Sequence, residues 1–469
     1  GGFVRIGSTY NIADDFVPVG SKTFNLADAS SFNVGDKIVV EFRPILDWFV
    51  DMSDMVQWNW VDPIVDESLD NYDIKWRRQI TAINGNEITI DAPIVQALDS
   101  AYSRDTSAGA RVWTYDLSNE IENVGIENIV LESSYASDTD ENHGKSAVFM
   151  QRVKNGWVRQ VTARYFWFGA VNIRYFCSFI TVEDSAMLDH KGTLDGGTRY
   201  SFNMDDSHSL LFQRVYARSG RHDFVSGSQT PGPNVFVDAL AYQANSDSGP
   251  HQRFATAELY DNVKVTSVSN GQGLLRVRNR GSSGSGHGWA GAQVMFWNAE
   301  ARFICERPNG AMNYAVGVVG NKDASPLGEP DGIIESRNQH VTPRSLYYAQ
   351  LKERLGPNAL HSVVVPAQMA GDIWNGLEAW EGIGLYSDAV LAWADEESGT
   401  TAVGASLALG GMLRDLTLLG NSPSYTWSKV SGNGVVSFVN ANALETSASF
   451  NAAGTYQLRL TASDGSTTH

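Results

Sequence analysis

The sequence predicts an all-β chain: a right-handed parallel β-helix followed by a smaller β-domain. Three observations predict it. The first is a short apolar strand that returns along the middle of the chain, as in Val124-Gly125-Ile126-Glu127-Asn128-Ile129, Trp157-Val158-Arg159-Gln160-Val161 and Leu211-Phe212-Gln213-Arg214-Val215. Its inward positions are expected at 126, 158, 182, 212, 237 and 260, at steps of 32, 24, 30, 25 and 23 residues. A unit that recurs at this spacing cannot bury its own apolar face and must stack on its neighbours. The second is a parallel ladder of Val148, Val171, Phe202, Phe224 and Phe254, at steps of 23, 31, 22 and 30. Two apolar strands per coil, joined by Gly, Asn and Asp turns, describe the β-helix. The third is a change of pattern near residue 400 to clean apolar–polar alternation, as in Thr455-Tyr456-Gln457-Leu458-Arg459-Leu460.

Taken in order, the first 120 or so residues form a β-rich cap. Val34-Gly35-Asp36-Lys37-Ile38-Val39-Val40 and Glu87-Ile88-Thr89-Ile90 read as strands, with Asn84-Gly85-Asn86 as a tight turn. The aromatic and acidic stretch from Trp48 to Asp73 reads as a loop packed on the rod, with a sugar-contacting wall as the alternative. The coils run from about 121 to 340. A helix is expected over 343–356, with Pro343 near its start, Leu346, Tyr347, Leu351 and Leu355 on one face, and Gly356 past its end. These pieces make a catalytic domain over 1–395. Glu396 to Thr401 reads as a linker, and a separate module occupies 399–469.

Bulk composition narrows the function. Among 469 residues, 53 acidic and 35 basic side chains give a formal charge of −18. That excludes nonspecific nucleic-acid binding, which needs a basic footprint, and it suits solubility in salty water. It leaves room for an anionic substrate held by a local basic column. No apolar run is long enough for a membrane span. No signal peptide is visible, and the Gly-Gly start is that of a trimmed chain, so a secreted or cell-surface protein is expected. Cys177 and Cys305 lie four or five coils apart, roughly 20 Å at about 4.8 Å per coil, too far for a disulfide. They are expected as free buried thiols.

The candidate chemistry precedes the Phe ladder. His143 and Lys145 stand before Val148, Arg199 and Tyr200 before Phe202, Arg221 and His222 before Phe224, and His251 and Arg253 before Phe254. Gly284-Ser285-Gly286-His287-Gly288-Trp289 follows at the next coil's equivalent place. With the Phe ladder inward, alternation turns Arg199, Arg221, His251 and Arg253 outward. A column of one sign on an acidic chain suits β-elimination from a uronic acid. A guanidinium neutralises the carboxylate and so acidifies the C5 proton. His, Tyr, Lys or Arg takes that proton, and His or Tyr protonates the leaving oxygen. Tyr200, His222, His251, Arg221 and Arg253 are the catalytic candidates. Lys145, Arg199, Arg218, Arg278, Arg280, His287 and Trp289 are the substrate-binding candidates. The plain alternative is neutralisation by Asp205, Asp206, Asp223 and Asp247. Hydrolysis would need two carboxylates at a set separation, for which Asp205 and Asp223 on neighbouring coils are the available pair. No residues are assigned to a metal. Asp138-Thr139-Asp140-Glu141-Asn142 has the oxygen-ligand types that calcium takes, though such a run is more often a solvated loop.

Two resemblances add to this. Ala217-Arg218-Ser219-Gly220-Arg221-His222-Asp223-Phe224, Pro231-Gly232-Pro233-Asn234-Val235-Phe236, Ser248-Gly249-Pro250-His251 with Arg253, Leu259-Tyr260-Asp261-Asn262, and Gly286-His287-Gly288-Trp289-Ala290-Gly291-Ala292 resemble bacterial pectate-lyase-like β-helix proteins. Ser345-Leu346-Tyr347 and Glu353-Arg354-Leu355-Gly356 extend the match. The resemblance implies a uronate-polysaccharide lyase, with the glucuronate-containing fucoidan-type chains of brown algae as a substrate. Gln252 departs from the aromatic or imidazole that the group often carries there. Tyr425-Thr426-Trp427-Ser428, Ala453-Gly454-Thr455-Tyr456 and Leu460-Thr461-Ala462-Ser463-Asp464-Gly465 resemble the polycystic-kidney-disease module, an immunoglobulin-like β-sandwich common in secreted bacterial polysaccharide-degrading enzymes.

The sequence therefore leads to a secreted lyase of an anionic polysaccharide. A β-helix glycoside hydrolase and a non-catalytic carbohydrate-binding rod remain as alternatives.

Overall fold

The structure, a computed structural model, describes residues 3–52, 66–105, 108–269, 271–371, 373–384, 390–395, 398–415 and 423–463. The chain divides into two compact units, Gly1–Ser345 with Trp374–Ile383, and Leu346–Ile373 with Gly384–His469.

The first unit holds a right-handed parallel β-helix. One long parallel sheet runs through the strands Gly125–Glu132, Val153–Arg164, Ser178–Leu188, His208–Arg218, Asn234–Ala244 and Glu258–Ser267, then three short strands ending at Ile333–Glu335. A second parallel sheet runs through Ser146–Gln151, Gly169–Arg174, Phe202–Met204, Phe224–Ser226, Asp247–Pro250, Leu274–Val277 and Arg302–Cys305. Each coil contributes one strand to each sheet, and inward side chains stack in columns between them.

The first column is Ile126, Val158, Val182, Phe212, Phe236, Tyr260 and Phe296. Position 237 is thus corrected to Phe236. Val235-Phe236-Val237 is apolar throughout, so alternation there is ambiguous by one residue, and a one-residue slip reverses every side chain. Stacked rings fill the column, with Phe212 and Phe236 centroids 4.6 Å apart and Phe236 and Tyr260 5.4 Å apart. The second column holds Val148, Val171, Phe202 and Phe224 as expected. Its next rungs are Ser248, Leu275 and Phe303, not Phe254. Phe254 is buried elsewhere, edge-on to Trp48 at 5.3 Å in the core shared with the N-terminal layer.

The long strands bend in the middle, which turns one sheet into two faces of the rod. The bend is a stack of left-handed residues: Asn128, Gln160, Asp184, Arg214, Asp238, Asn262, Asn298, Gly317 and Ser336, all with φ between 48° and 71°. Asn and Asp tolerate this conformation better than other non-glycine residues, because their short polar side chains bond locally.

The N-terminal layer is an antiparallel six-stranded sheet. One of its strands is Lys37–Phe42, which begins three residues later than expected, while Glu87–Ile90 and the turn at Gly85 stand as expected. Arg77 and Arg78 sew the layer to the rod by donating to the carbonyls of Cys177, Asp206 and Gly232. Trp48, Phe49 and Tyr72 from the aromatic stretch are buried in this core, and residues 53–65 lie outside the described residues. Both cysteines are free and buried.

In the second unit a helix spans Leu346–Leu355. Leu351 faces inward as expected, while Leu355 is 58% exposed and Tyr348 takes its place. Antiparallel strands follow, pairing Ser406–Leu409 with Thr446–Phe450 and Ser424–Ser431 with Gln457–Ser463.

Candidate functional site

Tyr200 and His222 stand two residues before Phe202 and Phe224, which pair across adjacent coils, so the two side chains share a register. Their rings meet edge-on at 5.0 Å. His251 joins them from the far end of the next strand, anchored by its N–H on the Ser226 carbonyl at 3.0 Å. It reaches the site although Phe254 is not a rung of the ladder. Its ring lies 4.6 Å from His222 and 4.9 Å from His287. Phe168 closes the other side, 5.2 Å from Tyr200. Lys145 caps this aromatic edge, its Nζ 5.0 Å from the Trp167 ring and 5.2 Å from Phe168.

Hydrogen bonds assign the protons. His222 Nδ1 lies 3.0 Å from the Asp247 carbonyl and 3.3 Å from its carboxylate. Both are acceptors only, so Nδ1 carries hydrogen, and whenever the ring is neutral its lone pair lies on Nε2. That Nε2 is buried and has no hydrogen-bond partner. Asp247 is fully buried, which would raise its pKa, but His222 and Arg276 outweigh this and hold it well below the usual range. Arg276 Nε contacts its other oxygen at 2.6 Å.

His251 is fixed in the opposite sense. Arg280 Nη1 donates to its Nδ1 at 3.0 Å and to its carbonyl at 2.7 Å. Nε2 therefore carries the hydrogen and donates to the Tyr200 hydroxyl at 3.1 Å. Burial, with His222 and Arg280, pushes the pKa of His251 far down, so the ring is neutral. The Tyr200 pKa is raised by burial, against the pull of Arg221 and Arg280, so the phenol keeps its proton and can donate it.

The cluster is cationic inside an acidic chain. Burial lowers the Arg280 pKa only to about 10, which leaves it charged, and its Nε is buried without a partner. Arg278 Nε is also buried without a partner. Arg221, beside the Tyr200 hydroxyl, donates to the Gly196 carbonyl at 2.6 Å. His287 is held down to about 3 by burial, then Arg280 and Arg253. Facing these guanidiniums, Asp247 is the carboxylate that shifts low.

Other expected residues lie elsewhere or do other work. Arg199 is pinned, its Nε and Nη2 donating to the Gly192 and Asp138 carbonyls. Arg218 pairs with Asp189 and Glu381. Arg253, expected outward, is 2% exposed and bonds Ser285, Gln252 and Ser228, tethering the loop that carries His287. His251, also expected outward, is 7% exposed. Trp289 is fully buried in the core shared with the N-terminal layer and offers no surface to a sugar. Asp247, which orients His222, and Arg276 were not singled out for the site. Their types carry no distinguishing signal until the coils are in register.

Among the described residues, His222, Asp247 and His251 are the one group whose ligand atoms converge. Both His251 nitrogens are engaged, and Arg276 and Arg280 touch the group, so the surroundings favour an anion over a metal cation. The acidic loop at 138–142 does not gather its carboxylates: Asp138 pairs with Lys191, Asp140 accepts from Ala136 and Asn142, and Glu141 accepts from Thr193. The potential hydrolytic pair does not face the pocket either. Asp205 is held by Arg174 at 2.6 Å, and Asp223 is fully buried on Ser201.

No helix among the described residues is long and apolar enough to cross a membrane. No protein-family model and no curated protein matches the chain. Solved structures similar to it include the Pseudomonas phage phi297 tailspike gp61, at 12% identity and TM-score 0.39 over 98% of this chain and 81% of that one. The tailspike gp49 of Pseudomonas phage LKA1 matches at 12% identity and TM-score 0.30, over 97% and 82%. The Gp54 tailspike of Acinetobacter baumannii bacteriophage AP22, solved with a capsular saccharide, matches at 10% and 0.26, over 98% and 82%. These are distant likenesses, and no residue role is carried over from them.

Proposed function

We propose that the chain is a secreted polysaccharide lyase that cleaves an anionic, uronate-containing chain by β-elimination. The observation that supports this most is His222. Its Nδ1–H is fixed on Asp247 and its Nε2 lone pair is buried and unpartnered, beside a protonated phenol in a cationic pocket. In this reading Arg280 and Arg221 bind the uronate carboxylate and stabilise the charge that develops as C5 loses its proton. His222 is 1% exposed, so the Tyr200 and His251 rings packed on it must move aside before its Nε2 takes that proton. The electron pair forms the C4–C5 double bond, the C4–O bond breaks, and Tyr200 protonates the departing oxygen. Proton exchange with solvent returns the two residues to their starting states. His251 aims Tyr200 and is no base, since Arg280 occupies its only lone pair. Lys145, Trp167 and Phe168 lie where the next sugar would sit. The glucuronate-containing fucoidan-type chains implied by the sequence resemblance head the substrate panel, and the strands after residue 398 are read as an accessory immunoglobulin-like module.

The test is incubation with a panel of uronate polysaccharides, following ultraviolet absorbance and reducing ends together. Both should rise with at least one member and fail with its carboxyl-reduced form. Reducing ends without absorbance, or equal cleavage of the reduced polymer, would move the protein to the hydrolases.

A further inference from the structure

Next to Tyr200 and His222 in sequence lies a buried chain of three side chains that the mechanism above does not use. Ser201 Oγ is 2.5 Å from Asp223 Oδ1 and 2.9 Å from His190 Nε2. His190 Nδ1 is 3.2 Å from the Phe166 carbonyl. Ser201 and Asp223 are 0% exposed and His190 is 3% exposed. Ser201 follows Tyr200 in sequence, and Asp223 follows His222.

Counting hydrogens fixes the arrangement. A carbonyl only accepts, so His190 Nδ1 carries hydrogen and donates to Phe166. Burial and then the Arg199 charge hold His190 at about 3, so the ring is neutral and its Nε2 only accepts. Ser201 has one hydrogen and faces two acceptors. If it gives that hydrogen to an ionised Asp223, His190 Nε2 is left in the interior with no donor. The arrangement that leaves only Asp223 Oδ2 without a partner runs one way: Asp223 O–H to Ser201 Oγ, Ser201 O–H to His190 Nε2, His190 Nδ1–H to Phe166. We propose that Asp223 is held as a neutral acid in this relay, and that the relay positions Tyr200 and His222 without placing a negative charge under an anion site.

The surroundings agree. No cation contributes at Asp223: burial raises its pKa to about 7, opposed only by the Ser201 hydrogen bond. Around His190, the groups that count are Phe166, Ser201 and Arg199. Packing leaves no slack, since a Cβ at Gly220 would stand 1.8 Å from Asp223 Oδ1 and 2.6 Å from Ser201 Oγ. The Phe202 N–H also donates to the Asp223 carbonyl at 2.8 Å, joining the two coils that carry the proposed acid and base.

The catalytic part rests on the lyase reading, whereas the protonation state does not. Infrared difference spectra of wild type against Asp223→Asn test the latter, because an amide donates to Ser201 as a neutral acid does. A neutral-acid carbonyl band should be present in wild type at pH 5, fade with a midpoint near 7, and be missing from the variant. A folded-state pKa above the unfolded value stabilises fully below about pH 4, and that stabilisation is lost as pH rises through about 7. The Tm of Asp223→Asn should therefore gain on wild type between pH 4 and 7. A wild-type spectrum with no such band at pH 5, or a Tm difference that moves the other way, overturns the proposal. Should Asp223→Asn not fold, Ser201→Ala assigns the band by shifting it to higher frequency. On a cleaved substrate, Ser201→Ala should lower kcat about 10- to 100-fold with KM unchanged, and an unchanged kcat would overturn the positioning role. The infrared result is read without substrate, so failure of the relay and failure of the lyase reading are told apart.

Discussion

Two regions of the rod bury charge and treat it in opposite ways. At the bend in the long sheet, Arg214 is fully buried. It gives Nε and Nη2 to the two oxygens of Asp184, at 2.6 and 3.0 Å, and Nη2 also to Glu183 at 2.7 Å. Gln213 completes Glu183 at 2.7 Å. Nearby, Arg344 forks onto the fully buried Asp238, and Ser345 donates to Asp261. Gly382 covers this flank by accepting from Thr162. Around His222 the balance is reversed. Arg276, Arg278 and Arg280 gather about Asp247, and buried nitrogens of Arg278, Arg280 and His222 have no partner. A buried charge costs several kcal/mol unless it is paired. The first region meets that cost internally and is structural. The second leaves part of it unmet beyond the Arg276–Asp247 pair, which fits the proposed anion site.

Substitutions on the two sides should separate activity from stability. The largest effect expected is from His222→Gln, which keeps a donor for Asp247 and removes the proposed base. Activity should fall by about 10²- to 10⁴-fold with Tm little changed, as read by steady-state rates and calorimetry. Retained activity would place the base elsewhere. At the bend, Arg214→Ala strands Asp184 and Glu183, and loss of about 3–5 kcal/mol is expected in denaturant unfolding, with the specific activity of the folded fraction kept. Between these, Arg280→Gln removes the charge and frees His251 Nδ1. It should raise KM and lower kcat together, and rescue by Lys should be partial, since Lys offers one point charge and not two N–H arms.

Ionic strength gives a gentler contrast. The pocket should lose affinity for an anionic polymer as salt rises, because the Debye length falls from about 10 Å at 0.1 M to about 3 Å at 1 M. The −18 background repels the same polymer at low salt, so an activity maximum at moderate salt is expected. Stability of the bend should barely move, as buried pairs are screened little. Least of all should follow from removing residues 399 onward, read as an independent module: rates on soluble oligosaccharide should stay within about twofold. Joint loss of Tm and activity would show a shared core.

The fold was legible where periodicity was strong. Val148, Val171, Phe202 and Phe224 were placed correctly because a large apolar residue returns coil after coil, at steps of 23, 31 and 22 residues. The reading slipped at Val237, where three apolar residues run together, and at Phe254, where a step of 30 residues imitated a coil. Tyr200, His222 and His251 were found together, although His251 arrived by a different route from the one its spacing implied. What stayed hidden was partnership. Arg199 and Arg253 carry the same charge as Arg280, and only the fold shows that carbonyls and a serine loop engage the first two. Asp247 reads in sequence like Asp205 or Asp223, and its role depends on which nitrogen of His222 it meets.

The stack of left-handed residues at the bend separates what can vary from what cannot. Nine successive coils pass through the same backbone state there, from Asn128 to Ser336. Each coil is thereby indexed to the next whatever the chain does between bends. Segments such as 189–199 and 278–289, which carry Tyr200 and Arg280 to the pocket, lie outside that index. A change of length there need not propagate along the rod. On the proposed reading, the loops around His222 could be rebuilt for another polymer while the rod kept its thread pitch.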